Sequence, residues 1–143
     1  QSASMAQQDL RALLKSMQPG LSDGKYYFAT VDESCLMNLA GYLQYVVGIF
    51  REEEGITFVF SEELQTIVES LSSKKVIGPF ALITLKVNSG LLAVGFLAKI
   101  TDALSKEKIP ANVFSGYHHD HLLVPYGKKD AALAVLKKLQ KSG

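Results

Sequence analysis

Residues 80–125, FALITLKVNSGLLAVGFLAKITDALSKEKIPANVFSGYHHDHLLVP, decide the fold. The segment 80–87 is almost unbroken in its apolar character, as a strand at the centre of a sheet is. Asn88-Ser89-Gly90 then reads as a tight turn, followed by a helix from Ser89 or Gly90 to about Glu107. Ala93, Leu97, Ile100 and Leu104 supply that helix with a buried stripe at helical spacing. Residues 112–117 and 121–124 form an antiparallel pair across a turn near His118-His119-Asp120. A turn at a helix start leaves backbone N–H groups bare, which suits a small anion such as an amino-acid carboxylate. Asn88 and Ser89 serve equally well as helix caps, and Gly90 as relief for the backbone.

Outward from this stretch, Leu10, Leu13, Leu14 and Met17 follow helical spacing until Pro19-Gly20. Residues 25–31 (KYYFATV) read as a strand, whereas 32–40 fit no single class. Residues 42–50 form a strand ending near Arg51, with Glu52-Glu53-Glu54-Gly55 as a hairpin tip and 56–60 as the partner strand. Ser61 caps a helix with Glu62 and Glu63 in its first turn and Leu64, Ile67, Val68 and Leu71 inward. Gly78-Pro79 separates the halves, and residues 127–140 form a last helix with Leu133, Leu136 and Leu139 inward. The expected organisation is a tag remnant or disordered start over 1–8, with Met5 as the native start. An N-terminal module over 9–78 and a C-terminal one over 79–143 follow, in one compact unit. The class is α+β: two ferredoxin-like βαβ modules, antiparallel sheets with helices packed on one face.

Composition narrows the function. Fifteen basic against 14 acidic side chains give a net charge of +1, which argues against a nucleic-acid partner. The lysines at 128, 129, 137, 138 and 141 read as a solvated helix face. Cys35 stands alone, so no internal disulfide forms and a reducing cytoplasm is the expected compartment. No apolar run approaches the roughly 20 residues that span a bilayer, so no membrane partner is expected. Catalysis lacks its usual motifs: there is no Gly-x-Ser-x-Gly elbow, phosphate loop or HExxH. Ser115 and His118 are close in sequence but lack an orienting group.

Two clusters add candidates. His118, His119 and His121 surround Asp120; the plain explanation is a turn, and the alternatives are ligand contact or pH sensitivity by His118 or His121. A metal is not expected there, since no fourth ligand is apparent. Arg51 either pairs with a glutamate on an exposed hairpin or faces a ligand's charged end.

The turn with Asn-Ser-Gly-Leu-Leu, the helix leading to IPANVFSG and the strand HLLVP resemble an ACT domain. FREEEGITFVF (50–60), the 87–95 segment and GYHHDHLLVP (116–125) together resemble a bacterial family of small two-module ACT-like proteins. The chain is more distantly similar to animal cytosolic arginine sensors. The resemblance implies a regulatory or sensor protein that binds a small molecule, an amino acid, without catalysis or cofactor. It implies pairing of modules, hence a homodimer, to which the surface of residues 93–96 is suited. Carried over by residue, the site is Asn88, Ser89, Gly90, Leu91 and Asn112. Asn88 stands where the common Asp-Arg-Pro-Gly turn has its acid, and the segment before Gly90 is one residue shorter. A structural or interaction module with no ligand is the alternative, and a metal-dependent enzyme a more distant one.

Overall fold

The computed structural model describes residues 2–142, with side chains from Asp9 onward. In chain order the elements are α1 (Ser2–Ser16), β1 (Pro19–Leu21), β2 (Tyr26–Val31), α2 (Leu36–Leu39), β3 (Val46–Glu52), β4 (Gly55–Ser61), α3 (Gln65–Leu71), β5 (Ile77–Leu85), α4 (Phe96–Lys106), β6 (Asn112–Ser115), β7 (Asp120–Pro125) and α5 (Lys129–Ser142). Helix α1 opens at Ser2, where a disordered start was expected. The expected tag remnant falls on Gln1 and on side chains that lie outside the described residues.

The chain forms two compact units, one from Gly24 to Phe80 and one combining the residues up to Asp23 with Ala81 onward. The sequence suggests a boundary at Gly78-Pro79, but β5 runs through that dipeptide as a strand. Helix α1 and the short strand β1 join the C-terminal unit.

In the Gly24–Phe80 unit the strand order is β3–β4–β2–β5. Strand β4 pairs antiparallel with β2, from Tyr26 opposite Ser61 to Val31 opposite Ile56. It pairs on its other side with β3, where Glu52 lies opposite Gly55 at the expected hairpin tip and Glu53-Glu54 form the turn. Alternation along β4 sends Ile56, Phe58 and Phe60 into one core with Ala29, Val31, Leu39, Leu64 and Val68. Residues 42–45, expected as strand, form part of a 3-10 stretch (Ala40–Tyr45) instead. Pairing begins only at Val46, opposite Phe60, so an apolar run without a partner strand stays coiled. Ser61 has the extended backbone of a cap residue, but its hydroxyl donates to the Tyr45 carbonyl at 3.4 Å and makes no cap bond.

In the C-terminal unit, β5 lies between β1 and β7, with β6 beyond β7. Pro19-Gly20, expected only to stop α1, opens β1: Pro19 pairs with Leu85 and Leu21 with Ile83. Ala81, Ile83 and Leu85 of β5 and Leu122 and Val124 of β7 point to one face. Helices α1, α4 and α5 cover that face with Leu14, Phe96, Ile100, Leu104, Ala132 and Leu136. This is the expected arrangement of helices on one side of an antiparallel sheet.

The helix after β5 differs from expectation. It starts at Phe96, not at Ser89 or Gly90, and its buried stripe is Phe96, Ile100 and Leu104. Gly95 sets the start: its φ of +91° is left-handed, where a side chain would be strained. A helix begun at Gly90 would have to pass through that position. Replacing Ile100, fully buried, with Ala should cost about 2–5 kcal/mol of unfolding free energy. Leu92→Ala, at a residue 93% exposed, should change it by less than about 0.5 kcal/mol. Urea denaturation of both variants measures the contrast; equal losses would place the helix start too late.

Candidate ligand-binding cleft

The ten residues between β5 and α4 form no regular element. They begin with two tight backbone links, Val87 N–H to the Leu85 carbonyl at 2.8 Å and Ser89 N–H to the Val87 carbonyl at 3.0 Å. The amide of Ser89, expected to be bare, is therefore bonded. The bare amides lie further on. The N–H groups of Phe96, Leu97 and Ala98 open α4 and have no acceptor within the helix. No side chain caps this end, while Lys99 N–H already bonds the Gly95 carbonyl at 3.0 Å.

Across from this loop stands the β6–β7 hairpin. Ser115 pairs with Asp120, and residues 116–119 form the tip, closed by Gly116 N–H to the His119 carbonyl at 2.9 Å. A side chain at 116 would start 3.0 Å from that carbonyl and 3.3 Å from the His121 ring, so glycine allows the close approach. Asp120, expected within the turn, is the first residue of β7. It is 8% exposed, and among the described residues it is the one buried polar or charged side chain.

Loop and hairpin enclose a cleft of about 140 Å³. Ser89, Gly90 and Leu91 line it, together with the α4 start, Tyr117, His118, His119 and Asp120. Ser89 Oγ donates to Asp120 Oδ2 at 3.3 Å. His119 Nδ1 lies 3.4 Å from the Val87 carbonyl, which only accepts, so the pair requires the proton on Nδ1. His118 stacks edge-on with Tyr117, ring centres 5.0 Å apart.

The site residues expected from sequence thus divide. Ser89, Gly90, Leu91 and His118 meet at the cleft. Asn88 is exposed and outside its lining, and Asn112 is exposed with Nδ2 donating to the Leu123 carbonyl at 3.4 Å. His121 is also outside the lining, its Nδ1 3.0 Å from Thr84 Oγ1. Arg51 belongs to the other unit and pairs with Glu33 at 2.6 Å, both well exposed. Sequence reading missed Asp120 and the α4 start. Gly95 and the serine at 115 were the available signals, and neither is specific. Among the described residues no three His, Cys, Asp or Glu side chains converge as a metal site requires.

The ACT-domain family matches the chain twice, over residues 79–138 and over residues 5–66. A Vibrio cholerae protein of known structure, described as of unknown function and a possible transport protein, is 36% identical. The match covers 94% of this chain and 98% of that one, with a TM-score of 0.78. A putative C-terminal regulatory domain of aspartate kinase from Porphyromonas gingivalis shares the fold at 18% identity, over 88% of this chain and 98% of its own, TM-score 0.63. The ligand-free regulatory subunit of aspartate kinase from Thermus thermophilus does so at 10% identity, over 87% and 99%, TM-score 0.64. No curated protein matches the chain. The chain belongs to the ACT-domain family and carries two ACT modules. Among the described residues no helix is long and apolar enough to cross a membrane.

His121 gives the cleft's supporting hairpin a pH dependence. Burial pushes its imidazole below the ordinary 6.5, the charge of His119 adds to this, and Asp120 opposes it. A histidine with a lowered folded value binds more protons when unfolded, so stability is complete above about pH 6.5 and falls as pH drops through the folded value. The melting temperature should therefore decline between pH 7 and pH 5, and His121→Gln should flatten part of that decline. A His121→Gln profile as steep as the parent's would remove His121 as the cause.

Proposed function

We propose that the chain is a regulatory ACT protein that binds an amino acid in the C-terminal cleft and performs no chemistry of its own. The observation that carries this is the meeting, in one cleft, of an uncapped helix start and a buried carboxylate. The amides of Phe96, Leu97 and Ala98 and the helix dipole suit the ligand's carboxylate. Asp120 suits its ammonium group. A zwitterion satisfies both, whereas a simple anion would meet Asp120 with like charge. The volume, close to the roughly 150 Å³ of a benzene-binding cavity, sets the scale at a single small molecule.

The aspartate kinase regulatory structures that share this fold make a sensor role the natural one. Two polar contacts hold the cleft together: Ser89 on Asp120, and His119 on the Val87 carbonyl. That leaves the output to assembly, through a homodimer in the cytoplasm, where the lone Cys35 stays reduced. Of the residues named from sequence, Ser89, Gly90, Leu91 and His118 are assigned to ligand contact, and Asn88, Asn112, His121 and Arg51 are not.

A thermal-shift screen of the full chain against the common amino acids tests the proposal. A ligand at 100 times its dissociation constant should add about 2.7 kcal/mol and raise the melting temperature by several degrees. Asn88→Ala should keep the affinity within about twofold. No shift with any amino acid, at concentrations up to tens of millimolar, would remove the sensor reading and leave an interaction module.

A further inference from the structure

Asp120 is a nine-tenths buried residue whose carboxylate accepts from the neutral Ser89 hydroxyl at 3.3 Å. No lysine or arginine is among the residues lining the cleft. The adjacent His121 is pushed below its ordinary 6.5, chiefly by burial and with Asp120 opposing, so it brings little countercharge near pH 7. His119 spends its Nδ1 proton on the Val87 carbonyl. A buried charge without a cation is costly, and a cation arriving from outside recovers that cost. The cleft is thus complementary to one positive group at its Asp120 end.

Part of the lining is of another kind. Leu91, Ala93 and Leu97 are apolar and give a charged side chain no partner, and Tyr117 adds an aromatic ring. Leu91 is 66% exposed and Tyr117 82% exposed, beside Leu92 and Val94, which are also exposed. Apolar groups gathered at the mouth of a cleft, rather than scattered singly, are a feature of ligand sites. Covering them removes apolar surface from water, which a hydrocarbon side chain does and a carboxylate or guanidinium does not. An acidic side chain would also find no lysine or arginine in the lining. A basic one would compete with the ligand's own ammonium for Asp120.

Resting on the amino-acid reading above, we infer that the cleft selects neutral α-amino acids with an apolar side chain, Asp120 holding the ammonium and Leu91, Ala93 and Tyr117 covering the side chain. The position that reads the ammonium is therefore the first residue of β7, not Asn88 of the loop after β5. The four-residue apolar stretch 91–94 lies between Gly90 and Gly95, both at left-handed φ (+73° and +91°). This backbone keeps the stretch out of α4, with Leu91 and Ala93 at the cleft.

Titration calorimetry with the full chain tests the inference. Leucine, isoleucine, valine, methionine or phenylalanine should bind at least tenfold tighter than aspartate, glutamate, lysine or arginine. 4-Methylpentanoate, which is leucine without its ammonium, should bind at least tenfold more weakly than leucine. Asp120→Asn should weaken leucine by at least tenfold. Should that variant fail to fold, Leu91→Asp, at an exposed position, should weaken leucine at least threefold with an unchanged melting temperature. Tightest binding by a charged amino acid would overturn the apolar selectivity and leave the amino-acid reading standing. Equal binding of leucine and 4-methylpentanoate would overturn the role of Asp120. Binding by no amino acid would overturn both this inference and the reading beneath it.

Discussion

The C-terminal unit depends on the packing of Phe96, Ile100 and Leu104 against Ala81, Ile83 and Leu85. Three residues spaced by four on the helix meet three spaced by two on the strand, and both rows are buried. This contact fixes where α4 can begin. Extending the helix backwards by a turn and a half would take Leu92 and Val94 with it, yet both are almost wholly exposed and add nothing to the core. The ten residues left over have to travel from the end of β5 to Phe96 as irregular chain. A cleft forms because a helix shorter than its sequence pattern leaves its first amides uncovered beside a hairpin.

Periodicity made most of this fold legible. The alternation of Ile56, Phe58 and Phe60 and the helical spacing of Ile100 and Leu104 report burial directly, since each element hides one face. What periodicity reported poorly was every position set by a partner far away in sequence. Residues 42–45 are as apolar as β3 but have no strand opposite them. Pro19-Gly20-Leu21 has turn chemistry, and becomes a strand only because β5 offers an edge to it at residues 83–85, far along the chain. Ala93 fits the helical stripe as well as Ile100 does, and the left-handed backbone of Gly95 is what separates them.

The candidate site shows the same limit more sharply. The loop after β5 was expected to bind a ligand, and Ser89, Gly90 and Leu91 line the cleft. Its chemistry was not. Asp120 sits in a run of histidines where an aspartate reads as a turn former, and its burial follows from the pairing of Ser115 with Asp120 and from the loop carrying Ser89 across it. Both are tertiary facts. Asn88 had the stronger claim in sequence because it stands where the common ACT turn has its acid, but two successive tight backbone links turn it outward to solvent.

A buried carboxylate is an unfavourable thing to keep in a domain of this size unless something is gained from it. Replacing a buried charge by an apolar group of similar shape is often neutral or stabilising, so the sequence has cheaper ways to close the β6–β7 hairpin. The hydroxyl of Ser89 relieves Asp120 only in part: a neutral donor at 3.3 Å is a long hydrogen bond and brings no charge. The same bond ties the irregular loop to the hairpin, so whatever partners Asp120 more strongly also acts on Ser89 and the residues that follow it. A cation at Asp120 would release or reinforce that link according to whether it displaces the hydroxyl or joins it. Either way, in the proposed sensor reading, the loop between β5 and α4, which has no regular structure to resist, is the element that occupancy of the cleft would move.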